Sequence, residues 1–238
     1  MSPLLRRGRH PSARLDDASL ATAWQVVSLL LDYPTETLLE RRRLLTEAVA
    51  GLPAAVAEPV GRFLTSLASV PLGRLQQEYV ETFDVTRRCC LYLTYFAHGD
   101  TRKRGLALVQ FKQAYRRAGA ELTGDELPDH LSVVLEFGAT ADVDVTWRLL
   151  NDHRAGIEML RISLADKGSR WHDVVLALVA TLPVLKGEDE DKVAMLVAQG
   201  PPSEEVGLDQ QPYALDPRLN PRPSESVELG QTIPVGAP

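Results

Sequence analysis

Residues 71–83 read PLGRLQQEYVETF. Leu72, Leu75, Tyr79 and Phe83 follow one another at spacings of 3, 4 and 4 residues, which puts all four on one face of an α-helix. The same period continues upstream. Residues 18–32 place Trp24, Val27, Leu30 and Leu31 on one side, and Tyr33-Pro34 ends the run, because the residue before a proline is driven out of the helical region. Residues 34–50 contribute Leu38, Leu45 and Val49 with Arg41, Arg42 and Arg43 outward, and Gly51-Leu52-Pro53 stops them. Residues 54–69 carry Val56, Val60, Phe63, Leu64 and Leu67.

Downstream, residues 87–98 are ambiguous. Tyr92, Tyr95 and Phe96 suit one helix face, yet residues 91–95 (LYLTY) also alternate like a strand. With helices on both sides, a helix is expected. Asp100 or Thr101 can cap the next one, which carries Leu108, Phe111 and Tyr115 and ends at Gly119. Pro128 suits the first position of a helix with Leu131, Val134 and Leu135 inward. Asp142 or Asp144 opens a long stretch with Trp147, Leu150, Ile157, Leu160 and Leu164. Ser169 precedes a helix with Trp171, Val174, Val175, Leu178 and Leu182. Val193, Leu196 and Val197 extend that helix or form a separate turn. No strand pair and no fixed-period repeat stands out. The expected fold is all-α: one compact bundle of about nine helices with antiparallel neighbours across short loops.

The chain has 238 residues, 45% of them hydrophobic and 24% charged, which is the composition of a globular domain. Its net charge of −6 is unevenly spread. Residues 187–238 hold ten acidic and three basic residues, leaving the first 186 at +1. Residues 199–238 also hold eight prolines and almost no apolar period, so a disordered acidic tail is expected there. The other end, MSPLLRRGRHPSAR, is basic, but no apolar run follows Arg6-Arg7, which argues for a flexible arm over 1–16 and against a targeting signal. The helical domain then spans residues 17–198. No apolar run reaches the roughly 18 residues of a membrane span. A cytoplasmic protein is expected, and the adjacent Cys89 and Cys90 suit a reducing compartment.

Catalytic motifs are missing from the reading. There is no phosphate-cradling glycine loop, no serine elbow and no paired-histidine metal spacing among His10, His98, His130, His153 and His172. Cys89 and Cys90 read as small apolar packing groups before they read as a redox pair. Arg87-Arg88, Arg102-Lys103-Arg104 and Arg116-Arg117 read as solvated helix faces, with an anion or acidic partner as the second reading. No catalytic residue, metal or cofactor is expected. The acidic balance argues against a nucleic-acid partner.

One segment says more. Residues 78–137 contain YVETFD (79–84), LYLTY (91–95), GDTRKRG (99–105), ELPDHL (126–131) and LEF (135–137), in that order. This set resembles the NarJ family, the assembly chaperones of respiratory nitrate reductase, within the wider group of molybdoenzyme maturation chaperones that includes the TorD and DmsD types. The resemblance covers about 60 residues; the flanking helices match only in character, and the acidic tail carries none of it.

The resemblance implies an all-helical chaperone without catalysis. It would bind the apo catalytic (alpha) subunit of nitrate reductase, including its N-terminal segment. It would keep that subunit competent for molybdenum cofactor and iron–sulfur insertion and for docking at the membrane. The alternative is a chaperone of the same fold for another molybdoenzyme with a twin-arginine leader. The family's acidic-Pro-Asp-His loop maps onto Glu126, Pro128, Asp129 and His130, and is tied there to the client's leader. A client helix suits an aromatic groove of Tyr79, Phe83, Leu91, Tyr92 and Tyr95, with Glu126 and Asp129 at its rim and Arg102 and Arg104 nearby. The plainer readings are that the tyrosines are core and that Asp129, one place after Pro128, favours a helix dipole. No stable membrane association is expected, and a monomer is favoured over a dimer. An enzyme using Cys89, Cys90 and His98, or a nucleic-acid binder using the arginine clusters, would be the rivals.

Overall fold

The computed structural model describes residues 15–99, 101–122, 126–185 and 187–200. The basic arm through residue 14, the cap candidate Asp100 and the acidic tail from residue 201 lie outside them. Among the described residues the regular elements are all helices. The helices are α1 (Asp17–Leu31), α2 (Glu36–Glu40), α3 (Arg42–Val49), α4 (Ala54–Ser66), α5 (Leu72–Tyr79), α6 (Tyr95–His98), α7 (Arg102–Arg117), α8 (Leu131–Thr140), α9 (Val143–Asp152), α10 (Arg154–Asp166), α11 (Trp171–Ala180) and α12 (Glu188–Gln199).

The central helix is α1. Asp16 caps it, its side chain accepting from the Ser19 N–H at 2.9 Å. Leu20, Ala23, Trp24, Val27, Leu30 and Leu31 are fully buried, a stripe wide enough to pack on both α8 and α11. Two indoles tie these layers together. Trp24 Nε1 donates to Thr181 Oγ1 at 3.0 Å, and Trp171 Nε1 donates to the Leu30 carbonyl at 3.1 Å. Ser28 Oγ donates to the Ser132 carbonyl at 2.8 Å, linking α1 to α8. Contact between α8 and α1 is close enough to need a glycine. A Cβ on Gly138 would meet Thr146 Cγ2 at 2.6 Å and the Trp24 ring at 2.7 Å. Helix α4 packs on α11, and α10 packs on α11 and α12.

Twelve helices replace the expected nine for identifiable reasons. The 34–50 stretch divides at Arg41, where ψ flattens to −3° between α2 and α3. The long stretch after Asp142 divides at His153, where Asn151, Asp152 and His153 are weak helix formers. Its opening cap is Asp142, accepting from the Val145 N–H at 2.8 Å. Val193 and Leu196 belong to a separate helix, α12, which packs on α10. Ser169 precedes α11, but its hydroxyl makes no cap bond; Arg170 is the N-cap.

Residues 87–98 are not one helix, and this corrects the expectation. A 3₁₀ turn at Arg87–Cys89 leads into an extended strip at Leu91 to Leu93, and only the four residues of α6 are α-helical. The reason is backbone pairing. Leu93 N–H donates to the Asp129 carbonyl at 3.0 Å and Leu131 N–H donates to the Leu91 carbonyl at 2.8 Å, an isolated antiparallel bridge between Tyr92 and His130. Leu91 and Leu93, on either side of the bridged Tyr92, accordingly both point inward. After α5 the chain widens into a π-helical turn at Val80–Asp84, which keeps Phe83 buried and leaves Val80 and Val85 exposed.

Candidate functional site

The ELPDHL loop folds around a buried carboxylate. Asp129 is 0% exposed. Its Oδ2 accepts from Thr94 Oγ1 at 2.5 Å and from the Thr94 N–H at 3.2 Å. Arg104, reaching in from the first turn of α7, places Nη2 3.7 Å from the same oxygen and donates from Nε to Thr94 Oγ1 at 3.3 Å. The Arg104 guanidinium also lies over the Tyr92 ring at 5.2 Å and the Tyr95 ring at 6.0 Å. Pro128 is buried, and its carbonyl accepts from Tyr115 Oη at 2.5 Å.

Two expectations about Asp129 are corrected by this geometry. It does not stand at a rim, because an interior acid held by Thr94 and Arg104 has no face toward solvent. Nor does it sit in the first turn of a helix, because α8 starts at Leu131 with His130 as its N-cap. Its position pins residues 91–94 to the chain at 128–131, two segments distant in sequence.

The expected aromatic groove divides. Tyr79 and Phe83 are buried against Trp171, with ring centroids 4.8 to 5.6 Å apart, and Tyr79 Oη donates to the Leu31 carbonyl at 2.9 Å. Burial raises the Tyr79 phenol well above its ordinary range. Leu91 is core as well. The plainer reading holds for these three. Tyr95 is also buried, in the shell around Asp129. Tyr92 is half-buried, its ring 5.1 Å from the His130 ring at 69°. Burial lowers the His130 pKa from 6.5, although Glu126, Asp32, Asp129 and Asp84 all pull it upward. Glu126 and Arg102 are exposed. The loop motif therefore splits into groups that hold (Pro128, Asp129) and groups that face outward or nearly so (Glu126, His130).

Glu126 borders three clefts that run into one another. The first, about 200 Å³ between α1 and α8, is lined by Leu29, Asp32, His130, Ser132, Val133 and Glu136 among others. The second, about 390 Å³, shares Val133 and Glu136 and adds Phe137, Leu122 and Glu121. The third, about 280 Å³ against α7, shares Leu122 and Glu121 and adds Leu127, Lys112 and Arg116. The sequence reading missed this groove apart from Glu126 and His130. Its signal was present in α8, where Leu131, Val134 and Leu135 face inward, so Val133 and Glu136 had to face out. Ser132 is buried at 9% exposure and lines the first cleft, and its hydroxyl has no hydrogen-bond partner among the described residues.

Other chemistry is sparse. Among the described residues no group of three or more His, Cys, Asp or Glu could hold a metal ion. Neither Cys89 nor Cys90 is in a disulfide, and burial pushes the Cys89 thiol up. No helix among them is long and apolar enough to cross a membrane.

What the geometry defines is an all-helical body with an open, acid-edged groove. Residues 49–177 match the model of the family described as nitrate reductase delta subunit, and the chain belongs to that family. It is 33% identical over 197 residues to the nitrate reductase molybdenum cofactor assembly chaperone NarJ of Escherichia coli K12, covering 80% of this chain and 79% of that one. It is 36% identical over 158 residues to the nitrate reductase-like protein NarX of Mycobacterium tuberculosis H37Rv, covering 66% of this chain but only 24% of that one. The chain thus spans about a quarter of the length of NarX.

Proposed function

We propose that this protein is a cytoplasmic assembly chaperone of nitrate reductase and not a catalyst. It binds the apo alpha subunit through the N-terminal segment of that subunit among other contacts. It holds the subunit open to molybdenum cofactor and iron–sulfur insertion before the enzyme docks at the membrane, and it acts as a monomer. The name of the E. coli relative, similar along most of both chains, supports the assembly role. The observation that carries the binding mode is the groove itself. Its floor is apolar, from Leu29, Leu122, Val133 and Phe137, and its edge carries Asp32, Glu121, Glu126 and Glu136. Such a surface fits an amphipathic helix with basic residues beside its apolar stripe. Edge charges set encounter rate and selectivity more than affinity, while the covered apolar strip holds the peptide.

Calorimetry with the N-terminal peptide of the cognate alpha subunit tests this reading. Glu126→Lys with Glu136→Lys should weaken binding about tenfold or more and flatten its salt dependence, with unfolding unchanged. Equal affinity in the variant would remove the groove as the site. Binding only to a twin-arginine leader would point to a different molybdoenzyme as client.

A further inference from the structure

The groove is electrically lopsided along its length. At the α1–α8 end stand Asp32, Glu136 and Glu126, none of which has an ion-pair partner among the described residues. At the α7 end Lys112 and Arg116 are exposed and likewise without an ion-pair partner among them, and they stand beside Glu121 and Glu126, so that end is balanced in charge where the α1–α8 end is acidic. Every α-helix is also lopsided. It carries roughly half a positive charge and unsatisfied N–H groups at its N-terminus, and roughly half a negative charge with free carbonyls at its C-terminus. One direction puts the helix N-terminus at the acidic end and its C-terminus where the two basic side chains are.

We propose that the groove fixes the direction of the helix it binds, with the N-terminus in the α1–α8 cleft and the C-terminus against Lys112 and Arg116. This rests on the peptide-binding reading above and names the residues that select the client's polarity. A basic residue near the start of the client then meets Asp32 and Glu136, while an acidic one near its end meets Arg116. Each helix end contributes about two- to fivefold in affinity, so the two together favour one direction by about fourfold to twenty-five-fold.

The test uses the full chain, ¹⁵N-labelled, and the alpha-subunit N-terminal peptide carrying a nitroxide amino acid at one end or the other. The N-terminal label should broaden the amides of Leu29 and Ser132, and the C-terminal label those of Lys112 and Arg116. The opposite pattern, or equal broadening from both labels, overturns the direction while the heat of binding leaves the peptide site standing. Absence of any heat removes the peptide site and the direction with it. Lys112→Glu with Arg116→Glu gives a second readout. It should cost about two- to fivefold against an amidated peptide, through the helix end alone, and more against the same peptide with a free carboxylate. No loss against either peptide would overturn the assignment of Lys112 and Arg116.

Discussion

Replacing Asp129 by alanine separates a residue that holds the loop from one that touches a client. In the folded protein its carboxylate is fully buried and anchors both the hydroxyl and the N–H of Thr94, itself 0% exposed. Alanine leaves that N–H buried without this acceptor, which costs about 1–3 kcal/mol. It also removes the carboxylate 3.7 Å from Arg104, whose side chain is only 15% exposed. Breaking a buried charge pair on one side costs about 3–5 kcal/mol, and the two figures overlap, so about 3–5 kcal/mol is the expected total. For a chain of this size each kcal/mol moves the thermal midpoint by about 2–4 °C, so the midpoint should fall by about 6–20 °C. Urea unfolding of wild type, Asp129→Ala, Thr94→Ala and the double variant gives the coupling directly, expected at about 0.5–3 kcal/mol. At a temperature where Asp129→Ala is still folded, peptide affinity should change less than in the Glu126 and Glu136 variants. A variant within about 1 kcal/mol of wild type in urea but unable to bind peptide would refute the reasoning and put Asp129 in the contact.

The remaining predictions are smaller. Above pH 6.5 His130 is neutral in both the folded and the unfolded chain; below it the unfolded chain takes the proton first, because burial depresses the folded value. Stability should therefore decline as pH falls from 6.5 through the folded pKa, and His130→Gln should flatten part of that decline in urea midpoints from pH 5 to 8, His153 supplying another part in the same direction. Tyr79→Phe removes the donor to the Leu31 carbonyl and should cost about 0.5–1.5 kcal/mol in chemical unfolding, with peptide affinity unchanged because the ring lies in the core. A chain ended at residue 200 should keep its thermal midpoint and its peptide affinity by calorimetry; a large fall in either would give residues 201–238 a part in the fold or the site.

Much of the fold was legible because helices advertise themselves by period. The buried stripe of α1 and the Leu72, Leu75, Tyr79, Phe83 ladder are where the spacing put them, although Phe83 reaches its place through a π-helical turn. The strip at 91–95 failed because its structure is decided elsewhere. Leu91 and Leu93 alternate only because their backbone pairs with residues 129–131, and nothing local signals that partner. The site was less legible than the fold for a related reason. A tyrosine in a conspicuous motif reads the same whether it faces a ligand or a tryptophan, and Trp171 lies 92 residues beyond Tyr79. Asp129 looked like an edge charge because acids usually are, and its burial depends on Thr94 and Arg104 arriving from two other elements. Glu136 and Val133 were within reach, since their helix face follows once its opposite is known to be core.

The burial of Asp129 bears on how a groove of this kind keeps its shape. Glu126 borders all three clefts but makes no ion pair among the described residues to hold it. What fixes the chain on its other side is the run of bonds from Pro128 to Leu131: a carbonyl held by Tyr115 of α7, a carboxylate held by Thr94, and two backbone bonds to Leu91 and Leu93. Two separate parts of the sequence thus converge on four residues, and Glu126, the acid proposed to meet the client, is placed next to them without taking part. A carboxylate that both anchored the loop and met the client would have to exchange a buried cation for a mobile one at every binding event, at a desolvation cost of several kcal/mol. Under the proposed binding mode, dividing the two tasks between Asp129 and Glu126 would avoid that exchange, so that a client could leave without loosening the groove's own wall.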